Sequence, residues 1–172
     1  MKTLYIVRHA KSSWDDLSAS DHDRKLLPLG KKRTKIVARW LKKHNVLPDK
    51  IMSSTAVRAY ETARLMANGL GFAEEKIEKE RGLYGADPED VEELLFTLPD
   101  SIEKVMVVGH NPGFTDLANL FLEDNQWIDN LPTSGVVSII FDTEKWEEVP
   151  LASYHVDFII TPKIVRGKNS DI

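Results

Sequence analysis

The chain has 172 residues, 42% of them hydrophobic and 29% charged, with a net charge of −4 and no cysteine. That length suits one domain, residues 1–172, with a core of its own. The lack of cysteine excludes disulfides, thiolate metal sites and a cysteine nucleophile, and the acidic balance argues against a broad nucleic-acid-binding face. A local arginine cluster can still hold a phosphate on an acidic protein. After Met1-Lys2-Thr3 the apolar run Leu4-Tyr5-Ile6-Val7 is too short for a secretory leader, and Arg8-His9 interrupts it. No apolar run approaches the ~20 residues of a membrane span. The expected location is cytoplasmic, with neither nucleic acid nor membrane as partner.

Leu4 to Val7 is rich in strand formers and apolar throughout, which predicts a central strand buried on both faces. Residues 10–27 are polar and aperiodic, hence a loop. Pro28 opens a helix with Ile36, Val37, Trp40 and Leu41 at helical spacing. Lys31, Lys32, Arg33 and Lys35 flank that stripe as a solvated face rather than a nucleic-acid patch. After a turn at Asn45–Asp49, Lys50 to Ser53 forms a second strand. Ser53-Ser54-Thr55 then offers caps to a helix carrying Ala59, Thr62, Ala63 and Met66 and ending near Gly69 and Gly71.

Lys76 to Lys79 suits a short edge strand, and Pro88 to Leu98 a helix with Val91, Leu94 and Leu95 on one side. Val105 to Val108 is a second strongly apolar strand. Asn111-Pro112 starts a helix, with proline at its first position and Leu117, Leu120 and Phe121 as its stripe. Val136 to Phe141 and Ala152 to Ile160 follow as two strands with no helix between them. The β-α-β-α order predicts an α/β fold, a three-layer α/β/α sandwich whose central sheet is mostly parallel with antiparallel C-terminal edge strands.

Ligands of open α/β sheets bind beyond the carboxyl ends of the parallel strands. The first strand ends in Arg8-His9. The second runs into Ser53-Ser54-Thr55-Ala56-Val57-Arg58, and the Val105–Val108 strand into Gly109-His110-Asn111-Pro112. Two histidines and two arginines are thus expected on one edge, and paired guanidiniums grip phosphate through bidentate hydrogen bonds. Arg58 near a helix start opposes the helix dipole unless it has an anionic partner. Each residue alone also fits a structural or surface role; only their shared edge suggests an anion site.

Three blocks carry a family resemblance. Arg8-His9-Ala10 after an apolar strand resembles the Arg-His-Gly signature of the histidine phosphatase superfamily, which has the phosphoglycerate mutase-like fold. Ser53-Ser54-Thr55-Ala56-Val57-Arg58-Ala59-Tyr60-Glu61-Thr62-Ala63 resembles its second block, and Val107-Val108-Gly109-His110-Asn111-Pro112 its third. They occur in family order over residues 4 to about 122. The compact length and the Arg8-His9-Ala10-Lys11-Ser12-Ser13-Trp14 opening look closest to SixA-like phosphohistidine phosphatases, which lack the helical insertion of the mutases. Two positions depart from the pattern: Ala10 replaces glycine, and Lys11, Ser12 and Ser13 stand where mutases carry an asparagine.

The resemblance implies that His9 is the nucleophile, forming a phosphohistidine intermediate, and that Arg8, Arg58 and His110 hold the phosphoryl oxygens. It implies no cofactor and no metal. A neutral imidazole, with an ordinary pKa of about 6.5, offers a lone pair at neutral pH. Phosphoryl transfer needs mainly positioning and charge compensation. Glu80-Arg81-Gly82-Leu83-Tyr84-Gly85 resembles the mutase segment bearing the catalytic Glu, so Glu80 is the candidate acid, set against a solvated carboxylate beside Glu78 and Lys79. Asp87 and Asp116 are lesser candidates. His22, His44 and His155 read as surface or structural, Asp21-His22-Asp23-Arg24 as a charged loop rather than a pocket rim, and Thr133-Ser134-Gly135 as a turn.

The expected activity is a phosphatase acting on a phosphorylated small molecule or a phosphohistidine-containing protein. A non-catalytic phosphoryl-binding module would be expected to lose the nucleophile, but His9 is present. A metal-dependent hydrolase lacks paired helical histidines and a clear carboxylate ligand set. A mutase lacks the insertion needed to enclose and reorient its substrate.

Overall fold

The computed structural model describes residues 1–168. Six strands form one sheet: β1 (Lys2–Arg8), β2 (Lys50–Ser54), β3 (Glu78–Glu80), β4 (Lys104–Gly109), β5 (Val136–Phe141) and β6 (Tyr154–Ile160), in the order β3-β2-β4-β1-β5-β6. The pairs β3–β2, β2–β4 and β4–β1 are parallel, whereas β5 runs antiparallel to both β1 and β6. The expected antiparallel C-terminal pair is present, with β5 inside the sheet and β6 at the edge opposite β3. A 3₁₀ helix, Trp146–Leu151, separates the two.

The helices are α1 (Pro28–Lys43), α2 (Val57–Leu70), α3 (Pro88–Phe96), α4 (Gly113–Asn119) and α5 (Pro162–Lys168). Alternating side chains of β1 point into two separate cores. Leu4 and Ile6 join Val91, Leu95, Phe114 and Leu117 on the α3–α4 side. Tyr5 and Val7 join Val37, Leu41, Met66 and Val165 on the side of α1, α2 and α5. Those two faces make the three-layer sandwich, and each large apolar side chain fully buried there contributes about 1.5–3 kcal/mol.

Local chemistry sets most boundaries. Pro28 stands at the start of α1, Gly71 closes α2 in the left-handed conformation at φ 77°, and Asp87 and Asp90 form a reciprocal capping box on α3. Four expectations need correction. Ser53, Ser54 and Thr55 do not cap α2: its N-cap is Ala56, with no side-chain cap bond, and Ser54 is used elsewhere. Pro112 is the N-cap of α4 rather than its first residue. Leu120, the C-cap of α4, still has helical dihedrals but is 62% exposed and does not extend the buried stripe. Helix α5 lies outside the expected elements; its short segment buries Val165 but has too few apolar positions to show a period.

Candidate active site

Parallel pairing brings the decisive residues to one edge. Register couples Arg8 with Gly109 and Ser53 with Val108, so β1, β4 and β2 finish side by side. The His9 N–H donates to Gly109 O at 3.0 Å, continuing the ladder one residue past the strand. Gly109 is required by packing, since a Cβ there would run into the Phe114 ring. Thr62 ties α2 to the end of β1: its Oγ1 accepts from Ala10 N at 2.9 Å and donates to Arg58 O at 2.7 Å. These contacts account physically for the threonine of the second block and the glycine of the third.

His9, Arg58 and His110 are only 8%, 5% and 7% exposed, so their chemistry is set by one another rather than by water. The His9 and His110 rings lie 5.1 Å apart, centroid to centroid. His9 Nδ1 is 2.7 Å from Ala10 O. A carbonyl can only accept, so Nδ1 carries the proton and Nε2 keeps its lone pair. Arg58 Nε donates toward that lone pair at 3.4 Å. Burial, aided by Arg58 and Arg8, pushes the His9 pKa down to about 4. Burial, aided by His9 and Arg58, pushes that of His110 down to about 3. Both rings are therefore neutral at physiological pH.

Arg8 lies on the other side of the strand end. Its Nη1 donates to Leu131 O at 2.8 Å, and Asn111 Nδ2 donates to the same carbonyl at 3.1 Å. Arg8 Nε and His110 Nδ1 are buried without any protein partner. Buried polar atoms are rarely left unpaired, and an unpaired one costs ~1–3 kcal/mol. Both residues stand where β1 and β4 end, and the His110 ring lies 5.1 Å from that of His9, a donor set that suits an anionic group.

The Asp21–Arg24 segment rims this pocket, contrary to expectation. Arg58 Nη1 donates to Asp21 O at 2.6 Å and Nη2 to Asp21 Oδ2 at 3.0 Å, supplying the anionic partner that Arg58 needs at the start of α2. Tyr84 Oη donates to the same carboxylate at 2.6 Å, and Arg24 Nε approaches its other oxygen at 3.1 Å. The Tyr84 hydrogen bond, followed by Arg58, holds the Asp21 pKa down to about 2, so Asp21 is an anion. Arg24 also donates to Ser12 Oγ at 2.7 Å and lies 3.5 Å over the Trp14 ring. Asp21, Arg24 and Tyr84 are not readable as site residues from sequence, because loop residues far apart in the chain carry no period. The charge cluster in 21–24 is the one available signal.

The remaining candidates separate cleanly. Glu80 pairs in register with Ser54 at the end of β3, but its carboxyl interacts with Glu78 and Lys50. Burial first, then Glu78, raises its pKa. Asp87 is committed to capping α3, and Asp116 is exposed on α4. His22 Nε2 bonds Thr55 Oγ1 at 2.9 Å and its ring meets Tyr84 edge-on, a role in buttressing the rim. His44 stacks on Trp40 at the end of α1, and His155 is exposed on β6. The turn at 133–135 is present, Gly135 N donating to Pro132 O at 2.9 Å, but it also approaches the site, because Ser134, at φ 60°, aims its N–H at the carbonyls of Arg8 and His9. Among the described residues no group of three or more His, Asp or Glu side chains is gathered to hold a metal ion, and no helix is long and apolar enough to cross a membrane.

Comparison with known proteins matches this arrangement. The family model of the histidine phosphatase superfamily (branch 1) aligns with residues 4–111. An uncharacterized chloroplastic protein of Arabidopsis thaliana is 36% identical over 128 residues, covering 69% of this chain and 58% of that protein. An uncharacterized protein of Mycobacterium tuberculosis is 30% identical over 163 residues, covering 87% of this chain and 99% of its own length. A solved structure from Agrobacterium tumefaciens, assigned as the phosphohistidine phosphatase SixA, superimposes with a TM-score of 0.77 at 26% identity, over 94% of this chain and 99% of that one. The blocks at residues 8–10, 53–63 and 107–112, the shared sheet edge and the matched residues 4–111 agree: the chain belongs to the histidine phosphatase superfamily, branch 1.

Proposed function

We propose that this chain is a single-domain, metal-independent phosphatase that uses His9 Nε2 as its nucleophile. The observation that carries the reading is a neutral, buried imidazole with its lone pair at Nε2, which has Arg58 Nε at 3.4 Å and the His110 ring 5.1 Å away. Nε2 attacks phosphorus, the bond to the leaving group breaks, and an Nε2-phosphohistidine forms. Water then attacks phosphorus, the P–N bond breaks, and inorganic phosphate departs. Each displacement is easier than direct hydrolysis because the covalent intermediate divides the barrier. Arg8, Arg58 and His110 hold the equatorial oxygens as charge shifts in the transition state. Two guanidiniums so close to the imidazoles repel a metal cation, so the donor set suits an oxyanion instead.

The leaving group needs a proton only when it is basic. Asp21 is held as an anion and is poorly suited to donate one. Glu80, whose pKa is raised by burial and then by Glu78, is assigned as the acid. The substrate class is a phosphorylated small molecule or a phosphohistidine-containing protein. The description of the Agrobacterium neighbour supports the latter.

The test is a panel of alkyl phosphates, aryl phosphates and a phosphohistidine protein, each assayed with and without excess chelator. Turnover that survives the chelator is expected. Loss that one divalent ion restores contradicts the metal-independent mechanism. In Glu80→Gln, kcat/KM for alkyl phosphates is expected to fall by ~10²–10⁴-fold, the range for a lost general acid. Phosphohistidine and aryl phosphates, with less basic leaving groups, are expected to be slowed far less. A uniform loss, or none, places the acid elsewhere.

A further inference from the structure

Ser54 is fully buried at the end of β2, and its Oγ lies 2.7 Å from His110 Nε2. Ala56 N donates to the same oxygen at 3.2 Å. A serine hydroxyl has one hydrogen and two lone pairs, and the Ala56 N–H takes one of those lone pairs. Two arrangements remain. In the first, His110 Nε2–H donates to Ser54. The Ser54 hydrogen then has no acceptor in a fully buried position, and His110 Nδ1 is a bare lone pair. In the second, Ser54 Oγ–H donates to Nε2. Every polar atom of the pair is then satisfied except His110 Nδ1–H, the buried atom without a protein partner.

The first arrangement leaves a buried hydroxyl hydrogen unpaired, at a cost comparable to a lost hydrogen bond. It also sets a lone pair against whatever anion occupies the site. We propose that Ser54 is a positioning residue that fixes His110 as the Nδ1–H tautomer, so that a neutral second histidine presents a hydrogen-bond donor to the phosphoryl group. The tautomer matters because His110, unlike an imidazolium with two donors, has only one proton to place; burial pushes its pKa down to about 3, so it is neutral at neutral pH. The two buried histidines then match. Each has one ring nitrogen fixed by a neighbouring oxygen, Ala10 O for His9 and Ser54 Oγ for His110. Both rings then carry their proton on Nδ1, but His9 offers its bare Nε2 and His110 its Nδ1–H, so one ring is a nucleophile and the other a donor.

The inference rests on the phosphatase reading for its catalytic meaning, but the tautomer is measurable without turnover. Long-range ¹H–¹⁵N spectra of protein labelled in the histidine rings, with His110 assigned by its loss in His110→Gln, show which nitrogen is protonated. The wild type is expected to carry the proton on Nδ1. Ser54→Ala is expected to lose that single state, with proton density appearing on Nε2, and to lower kcat/KM by ~10–100-fold while leaving the circular dichroism spectrum unchanged. A wild-type proton on Nε2 overturns the proposal, and so does an Nδ1 proton that persists undiminished in Ser54→Ala. The wild-type spectrum decides the proton's place even if the variant folds poorly. Absence of phosphatase turnover in the wild type would instead count against the proposed function and leave the tautomer result standing.

Discussion

The two ends of the parallel sheet bury polar groups in opposite ways. At the amino end, Lys2 is only 1% exposed, yet its Nζ donates to Asp100 O at 2.6 Å and Ile102 O at 2.9 Å. Trp146 Nε1 donates to Ile102 O as well, and Asp49 Oδ2 accepts from the N–H groups of Glu103 and Lys104 at 3.0 and 2.9 Å. Each of these bonds closes on a neighbouring element, and the result is structural. At the carboxyl end, Arg8 Nε and His110 Nδ1 are equally withdrawn from water and have no protein partner, and His9 Nε2 keeps a lone pair. The lesson is that burial of charge alone does not mark a site. Cationic and imidazole groups gathered at the strand ends where α/β sheets bind ligands do.

The comparison breaks if the two ends respond alike to substitution. The largest effect is expected at the carboxyl end: His9→Ala should reduce kcat by ~10⁴-fold or more, since removal of a covalent nucleophile leaves only binding and electrostatics. Its urea midpoint should stay near wild type. Arg58→Ala comes next. Loss of ~10²–10³-fold in kcat/KM is expected, in the range of a removed transition-state donor, together with weaker inhibition by phosphate or vanadate. A variant with normal vanadate affinity would remove Arg58 from the anion site and leave it as the partner of Asp21 alone. The smallest effect on catalysis is expected at the amino end. Lys2→Met keeps the apolar stem but strips a hydrogen bond from Asp100 O and one from Ile102 O. It should cost about 2 kcal/mol of stability in urea unfolding and leave kcat unchanged. A loss of activity without a loss of stability would refute the distinction between the ends.

Much of this division is legible in the amino-acid sequence. The runs Leu4–Val7 and Val105–Val108 are apolar enough to place two central strands, and chemistry-bearing residues directly after them fall on the edge where α/β sheets bind ligands. His9, Arg58 and His110 meet there for that reason. What is not legible depends on contacts between distant, aperiodic segments. Asp21 reaches Arg58 across 37 positions and Tyr84 reaches Asp21 across 63, and no local pattern encodes either. Ser54 has a plausible local role as a helix cap, and only the strand register shows that its hydroxyl faces His110 instead. Leu120 reads as buried because it falls at helical spacing from Leu117, and spacing alone does not show whether the core extends past the last turn. Lys2 carries no signal at all, since a lysine beside the N-terminus is ordinarily solvated.

The central claim is that phosphate passes through a covalent bond to His9, and through one nitrogen of that ring. The direct measurement is to mix the enzyme briefly with a ³²P-labelled substrate, quench under alkaline conditions that preserve phosphoramidates, and map the labelled residue and isomer. Because Nδ1 is committed to Ala10 O, label is expected on His9 as the Nε2 isomer, in wild type and in Glu80→Gln, and to be absent from His9→Ala. Turnover without trapped label at any quench time, or label on Nδ1 or on a different residue, would contradict the account.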